Sequence, residues 1–146
     1  QRYHQHFAKA ELTPQDWLNP ATWTWKINEE TRPGWLDDVE TLAEAKSRSI
    51  ARRMIITDTT TQLPKLIVDG CWIIGGTAKI RDVRGGRIVR VQDSAQVHGV
   101  RGSAQVHGVW DSAQVRGVWG SAQVHEVGPN AILDESAKAH LVTAMA

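Results

Sequence analysis

The sequence has few of the features that usually narrow a function. It contains one cysteine, Cys71, so neither an internal disulfide nor a cysteine-based zinc site can form. A single cysteine in an apolar stretch is expected to be buried and inert, and a reducing, cytoplasmic compartment is the simplest expectation. No apolar run approaches the roughly 20 residues that span a bilayer, and no signal segment opens the chain. Because the chain opens on Gln1, we expect a processed protein or a piece of a longer one. The formal net charge of +1 excludes a strongly basic or polyanionic protein.

Catalytic signatures are missing as well. There is no phosphate-cradling glycine loop, no nucleophile elbow and no His-Glu-x-x-His motif. His4 and His6 could each pair with Asp16 in acid–base chemistry. Asp58 could pair with Glu40 in the same way, but nothing in the sequence fixes either geometry. The sequence therefore predicts no catalytic residue, no cofactor and no metal ligand.

The first 66 residues mix helix and strand signals and predict an α+β region. Residues 13–16 (Thr-Pro-Gln-Asp) have the pattern of a helix start, and residues 22–27 alternate as in a strand. Apolar residues at helical spacing predict a helix over 36–54, with acidic residues in its first turn and basic residues in its last. Further short strands are predicted at 55–57, 65–68 and 71–74.

From residue 77 to residue 136 the chain is a tandem array of units, nine residues long after a first step of eight. Each unit has a small residue followed by two spaced aliphatic residues. Alternation of apolar and polar residues predicts strands with Ala and Val pointing inward and Gln and His pointing outward. A degenerate last unit has Ser136 where an aliphatic residue belongs. The complete units are Ala78-Ile80-Val83, Gly86-Ile88-Val91, Ala95-Val97-Val100, Ala104-Val106-Val109, Ala113-Val115-Val118 and Ala122-Val124-Val127.

Two units should form one coil of the array. Facing sheets lie about 10 Å apart, so a nine-residue coil would spend roughly six residues on crossing and keep about three for strands. The residue before each repeat serine alternates as Asp93, Gly102, Asp111 and Gly120, which is a period of two units. We therefore predict an α+β region followed by a small parallel β-solenoid at 67–136, with about three coils in the array. A helical cap or tail follows, helical from residue 135 and forming a separate segment at 137–146.

The units resemble nonapeptide arrays of bacteriophage and bacterial proteins that are themselves uncharacterised. Units such as Asp-Ser-Ala-Gln-Val-Arg-Gly-Val-Trp at 111–119 match the form (Asp/Gly)-(Asn/Ser)-Ala-x-Val-x-x-(Met/Val)-(Trp/Tyr/Arg). The run at 69–80 also resembles the segment that precedes such arrays, and the likeness covers about 67–136. It implies a repeat scaffold of phage or mobile-element origin and no activity. A more distant similarity to hexapeptide acyltransferase repeats fails on the period, which is six residues in those enzymes.

Several outward columns are candidate binding surfaces. Arg101, Trp110 and Trp119 share the unit boundary, where tryptophan either packs at a corner or forms an exposed rail for a partner. The column that contains His107 and His125 on one side of the coil, and His98 with Arg116 on the other, is either a metal or phosphate site or a solvated ladder. No carboxylate accompanies it. The glutamines of the array predict a stacked amide ladder, formed by Gln96, Gln105, Gln114 and Gln123.

The sequence thus favours a non-enzymatic protein-interaction or self-assembly module, homo-oligomeric and without a membrane anchor, with Trp110, Trp119 and Arg101 as partner-binding residues. One alternative is nucleic-acid binding through a basic run that opens the array, which with Arg101 and Arg116 could line one face. The other alternative is an enzyme with its site in the N-terminal region or at a subunit boundary. The basic run consists of Lys79, Arg81, Arg84, Arg87 and Arg90.

Overall fold

The computed structural model describes residues 7–58 and 66–142. The chain divides into two compact units, Gln1–Arg53 and Met54–Ala146. Among the described residues, no helix combines the length and the apolar character needed to cross a membrane.

The first unit contains a β-hairpin and one long helix. Strand β1 (Ala10–Thr13) pairs antiparallel with β2 (Thr24–Ile27), and a single 3-10 turn (Pro20–Thr22) lies between them. The predicted helix start at 13–16 is wrong, because Thr13 ends β1. Asp16 instead closes a turn, in which its Oδ1 accepts from the backbone N–H of Leu18 at 3.1 Å.

Helix α1 (Leu36–Arg53) has the predicted bounds to within one residue. Its Arg48 donates to the carbonyl oxygen of Trp23 at 2.8 Å and pairs with Glu44 at 2.7 Å, which fixes the helix beside the 3-10 turn. Of the expected apolar face, Leu36 and Ala51 are buried, whereas the larger side chains Val39, Leu42 and Ile50 are exposed.

The second unit is the predicted β-solenoid. Eleven strands are described, and they form two parallel sheets. The strands are β3 (Ile55–Ile56), β4 (Leu66–Ile67), β5 (Cys71–Ile74), β6 (Lys79–Ile80), β7 (Asp82–Val83), β8 (Arg87–Val91), β9 (Gln96–Val100), β10 (Gln105–Val109), β11 (Gln114–Val118), β12 (Gln123–Val127) and β13 (Ile132–Leu133). We call β3, β5, β8, β10 and β12 the front sheet, and β4, β6, β7, β9, β11 and β13 the back sheet.

Strand register confirms two units per coil. Gln105 pairs with Gln123 in the front sheet, and Gln96 pairs with Gln114 in the back sheet, a step of 18 residues in each. The described strands make about four turns rather than the expected three. The additional coil forms because β3 and β4, which lie before any readable repeat, join the same two ladders. The predicted Thr-rich turn between them lies outside the described residues.

The core is the stack of inward Ala, Val and Ile side chains that the repeat predicts. In the central coils Ile88, Ala95, Ala104, Val106 and Val118 are all 0% exposed. Outward Gln and His side chains leave this interior purely apolar, so packing of branched side chains between the two sheets supplies the main stabilising contribution.

The alternation of Asp and Gly before the repeat serines has a structural cause. All four residues adopt left-handed backbone conformations, with φ of 59° at Asp93, 66° at Gly102, 54° at Asp111 and 67° at Gly120. On the Asp side, Asp93 Oδ2 accepts from the N–H of Gly76 at 2.9 Å, and Asp111 Oδ2 accepts from the N–H of Asp93 at 3.2 Å. These bonds tie successive coils together and offset the strain of a left-handed Asp.

The C-terminal segment covers the open edges of the last coil. Helix α2 (Glu135–Ala139) begins at Asp134, whose Oδ2 accepts from the N–H of Gly117 at 3.0 Å, while Ser136 Oγ accepts from the N–H of Val118 at 2.9 Å. Val124 in the front sheet exchanges backbone bonds with the segment after α2, which pairs parallel to it through Leu141. The irregular serine of the last unit therefore takes the place of another strand, and these edges do not invite edge-to-edge pairing.

Candidate functional site

The three expected partner-binding residues do not share one column. Arg101 and Trp119 follow strands β9 and β11 of the back sheet, one coil apart. Trp110 follows β10 of the front sheet and therefore lies on the opposite corner. The expectation of a single column is wrong because a step of nine residues moves the chain to the other sheet, and only a step of 18 returns it.

Trp110 packs against its own corner. A Cβ added to Gly108 would lie 2.6 Å from Trp110 Nε1, and one added to Gly128 would lie 2.8 Å from its Cε3. The ring thus covers two glycines, and the guanidinium carbon of Arg90 lies 5.3 Å from its centroid. This half-buried tryptophan has the corner-packing role.

Trp119 is 55% exposed and belongs to a continuous outer column. Backbone hydrogen bonds place Arg84 beside the end of β4, Arg101 beside Arg84 and Trp119 beside Arg101 on successive coils. Val68, at the end of β4, is 56% exposed and continues the column. We call Val68, Arg84, Arg101 and Trp119 the corner ridge. Asp82 lies beside it, with its Oδ2 3.0 Å from Arg84 Nη2 and 3.3 Å from Arg101 Nη2.

The basic run that opens the array is divided between the two sheets. Lys79 lies in the back sheet and Arg81 directly follows its strand, whereas Arg87 and Arg90 lie on β8 in the front sheet. Arg84 lies on the corner ridge. The expected single basic face is wrong, because consecutive strands of a solenoid alternate between sheets.

The back sheet instead gathers basic residues that are distant in sequence. A shallow cavity of about 230 Å³ on its outer surface is lined by polar side chains from three coils. We call this surface the back-sheet groove, and its polar lining residues are Lys79, Arg81, Gln96, His98, Gln114 and Arg116. Sequence reasoning missed the group because its members recur at 17 or 18 residues and the basic ones alternate with glutamine.

His107 and His125 stack on the front sheet, as the repeat predicts. Their ring centroids lie 4.6 Å apart with planes inclined by 3°. Arg87 Nε donates to His107 Nε2 at 2.8 Å, and His125 Nε2 is buried with no hydrogen-bond partner among the described residues. Parallel rings direct their lone pairs in separate planes rather than at one point. In the part of the chain described, no group of three His, Cys, Asp or Glu side chains is placed to hold a metal ion.

This stack makes stability depend on pH. Burial, Arg87 and His125 together lower the pKa of His107 below its ordinary 6.5, so the folded protein binds fewer protons than the unfolded chain. The contribution is complete above about pH 6.5 and is lost as the pH falls below it. We expect His107→Gln to flatten the decline of the urea midpoint between neutral and mildly acidic pH. His98→Gln, at the same repeat position in the back sheet, is the control. An unchanged decline in the first variant would contradict this role.

The acid–base pairs drawn from sequence receive no support. His4 and His6 lie outside the described residues. The carboxylate of Glu40 accepts from Arg32 and from Trp25 Nε1, and these bonds lower its pKa and occupy it structurally. Cys71 is exposed, not buried as expected, because it occupies the outward column of the front sheet in register with Arg87.

Comparison with family models, with curated proteins and with solved structures finds no match for this chain. The candidate sites are therefore the corner ridge and the back-sheet groove, as strand register and side-chain geometry place them.

Proposed function

We propose that this protein is a non-enzymatic scaffold whose solenoid binds another protein through the corner ridge. The supporting observation is the contrast between two tryptophans at equivalent repeat positions. Trp110 lies against Gly108 and Gly128, whereas Trp119 has no such recess and is left 55% exposed. Burial of an exposed tryptophan on binding is strongly favourable, and tryptophan and arginine are enriched among the residues that dominate interfaces.

The chemistry of the ridge selects the partner. Two apolar side chains, Val68 and Trp119, flank Arg84 and Arg101 on successive coils. The pairing of these arginines with Asp82 is solvent-exposed, so it contributes little and is readily exchanged for another carboxylate. The ridge thus suits a protein surface that presents carboxylates between apolar side chains. Hydrogen-bonded coils hold it rigid, which reduces the entropy lost on binding.

Association is expected to depend on Trp119 and not on other exposed tryptophans. The first measurement is molar mass by light scattering coupled to size exclusion, for which the monomer is 16.2 kDa. If the mass is a multiple of this value, Trp119→Ala should return it to the monomer. If the chain is monomeric, a partner isolated from the native host and then purified should bind the wild type and lose about 30-fold in affinity with Trp119→Ala, since hot-spot residues contribute about 2 kcal/mol.

Trp35→Ala is the matched control, because Trp35 is an exposed tryptophan of the first unit, 38% exposed. Trp110→Ala should lower stability instead of affinity. Association that is equal in the Trp119→Ala and wild-type proteins, with both folded by circular dichroism, would exclude the ridge. The likeness to phage arrays and the single cysteine are consistent with a phage-derived cytoplasmic scaffold, which is the setting we propose.

A further inference from the structure

The back-sheet groove consists of two columns that cross three coils. Arg116 is in register with His98, and Arg81 follows Ile80, which is in register with Val97. Arg81, His98 and Arg116 therefore form one column. Lys79, Gln96 and Gln114 form the second column two residues away along the strands. Neighbouring members of a column are about 4.8 Å apart, and the columns are about 7 Å apart.

The lining of the groove is one-sided in charge. Lys79, Arg81 and Arg116 are cationic, and no Asp or Glu lines the cavity. Two carboxylates border it, and both already have partners. Asp82 pairs with Arg84 and Arg101 on the corner ridge. Asp134, near Arg116, accepts from three donors: the N–H of Gly117, the hydroxyl of Ser136 and the N–H of Ala137.

The fold itself does not call for these cations. Like charges on adjacent strands of one face are destabilising, and other coils of this chain place glutamine or histidine at the same positions. On the front sheet the corresponding region is made of the stacked His107 and His125, with Arg87 donating to His107. The back sheet lacks such a mutual arrangement, so its repulsion is relieved by an anion.

We propose that the back-sheet groove binds a ligand with two adjacent phosphoryl groups. Arg81, His98 and Arg116 supply donors along one column, and Lys79 with the two glutamine amides supplies donors along the other. A cavity of about 230 Å³ holds two phosphates side by side but not a folded partner. The ligand is either a small diphosphate or two consecutive phosphodiesters of a single-stranded nucleic acid. This site is separate from the corner ridge and does not depend on it.

Titration calorimetry at low ionic strength tests the site, with inorganic pyrophosphate and a short single-stranded oligonucleotide as probes. We expect binding by the wild type and at least a tenfold loss with Arg81→Gln or Arg116→Gln, because a hydrogen bond to a charged group contributes about 1.5–3 kcal/mol. Glutamine already occupies outward positions of this sheet at Gln96 and Gln114, so these variants should fold. Circular dichroism checks that they do.

Two arginines outside the groove provide controls. Arg87→Gln removes the same charge from the front sheet, and Arg53→Gln removes it from helix α1; neither should change affinity by more than about twofold. Saturable binding of pyrophosphate identifies a small diphosphate ligand. Binding of the oligonucleotide alone, weakening steeply with salt, identifies a nucleic-acid backbone. No binding of either probe overturns the proposal, and so does an Arg87→Gln loss equal to that of Arg81→Gln. Trp119→Ala should bind the probe like the wild type, which separates this site from the proposed protein interaction.

Discussion

Replacement of Gly102 by alanine should lower the free energy of unfolding by about 3 kcal/mol or more, whereas the same change at Gly120 should cost about 1 kcal/mol. The two glycines occupy the same repeat position with φ of 66° and 67°. A Cβ at Gly102 would overlap the carbonyl oxygen of Arg84 and lie 3.3 Å from its carbonyl carbon. A Cβ at Gly120 would have the backbone nitrogen of Gly102 as its nearest neighbour, at 3.9 Å.

The pair therefore separates steric overlap from left-handed strain, since both substitutions introduce the strain and only one introduces the overlap. Urea unfolding followed by circular dichroism measures both. In thermal unfolding the Gly102 variant should melt about 15 °C below the wild type, on the scale of 4–8 °C per kcal/mol for a domain of this size. Equal losses at the two positions would mean that the coil before Gly102 relaxes freely, and the packing described for this corner would be incorrect.

Removal of the Asp134 carboxylate should cost about 2 kcal/mol near neutral pH. Asp134 caps helix α2 through the N–H of Ala137 at 2.9 Å, and its other oxygen takes the N–H of Gly117 at the edge of the back sheet, at 3.0 Å. Asp134→Ala would thus uncap the helix and leave a strand-edge N–H without its partner. Asp134→Asn should cost less, because asparagine is also an effective N-cap.

The pH dependence of this contribution is fixed in sign. The hydrogen bond from Ser136, followed by those from Ala137 and Gly117 and the charge of Arg116, lowers the pKa of Asp134 from 3.8 to about 2. A carboxyl group with a lowered pKa stabilises the fold fully above its unfolded value, and this stabilisation is lost as the pH falls from about 4 towards 2. The difference in urea midpoint between the wild type and Asp134→Ala should therefore be large near pH 7 and small near pH 2. A difference that is the same at both pH values would show that the ionised carboxylate is not what caps this end.

The architecture was predictable because its signals are local and periodic. Alternation within Ala-Gln-Val-His specifies a strand with an inner face, and the Asp and Gly residues at 93, 102, 111 and 120 revealed the two-unit coil. Helix α1 was predictable from spacing and end charges in the same way. The first coil was not, because β3 and β4 have no repeat and become part of the solenoid only through pairing with β5 and β7.

The candidate sites depended more on the folded chain. Trp110 and Trp119 are alike in sequence, but Gly108 and Gly128 provide a recess for the first, and nothing in the linear order relates those glycines to it. Arg81 and Arg87 lie in one basic run, and the coil sends them to opposite sheets.

The sequence by itself determined the strand period, the two-unit coil and the identity of the inward residues, because each is set by neighbours a few positions away. Only the tertiary structure decided which outward side chains meet, since contacts across coils join residues 17 or 18 positions apart whose chemistry need not repeat. The back-sheet groove is such a case: Arg81, His98 and Arg116 come together because β9 and β11 stack in register, with Arg81 beside them on the preceding coil.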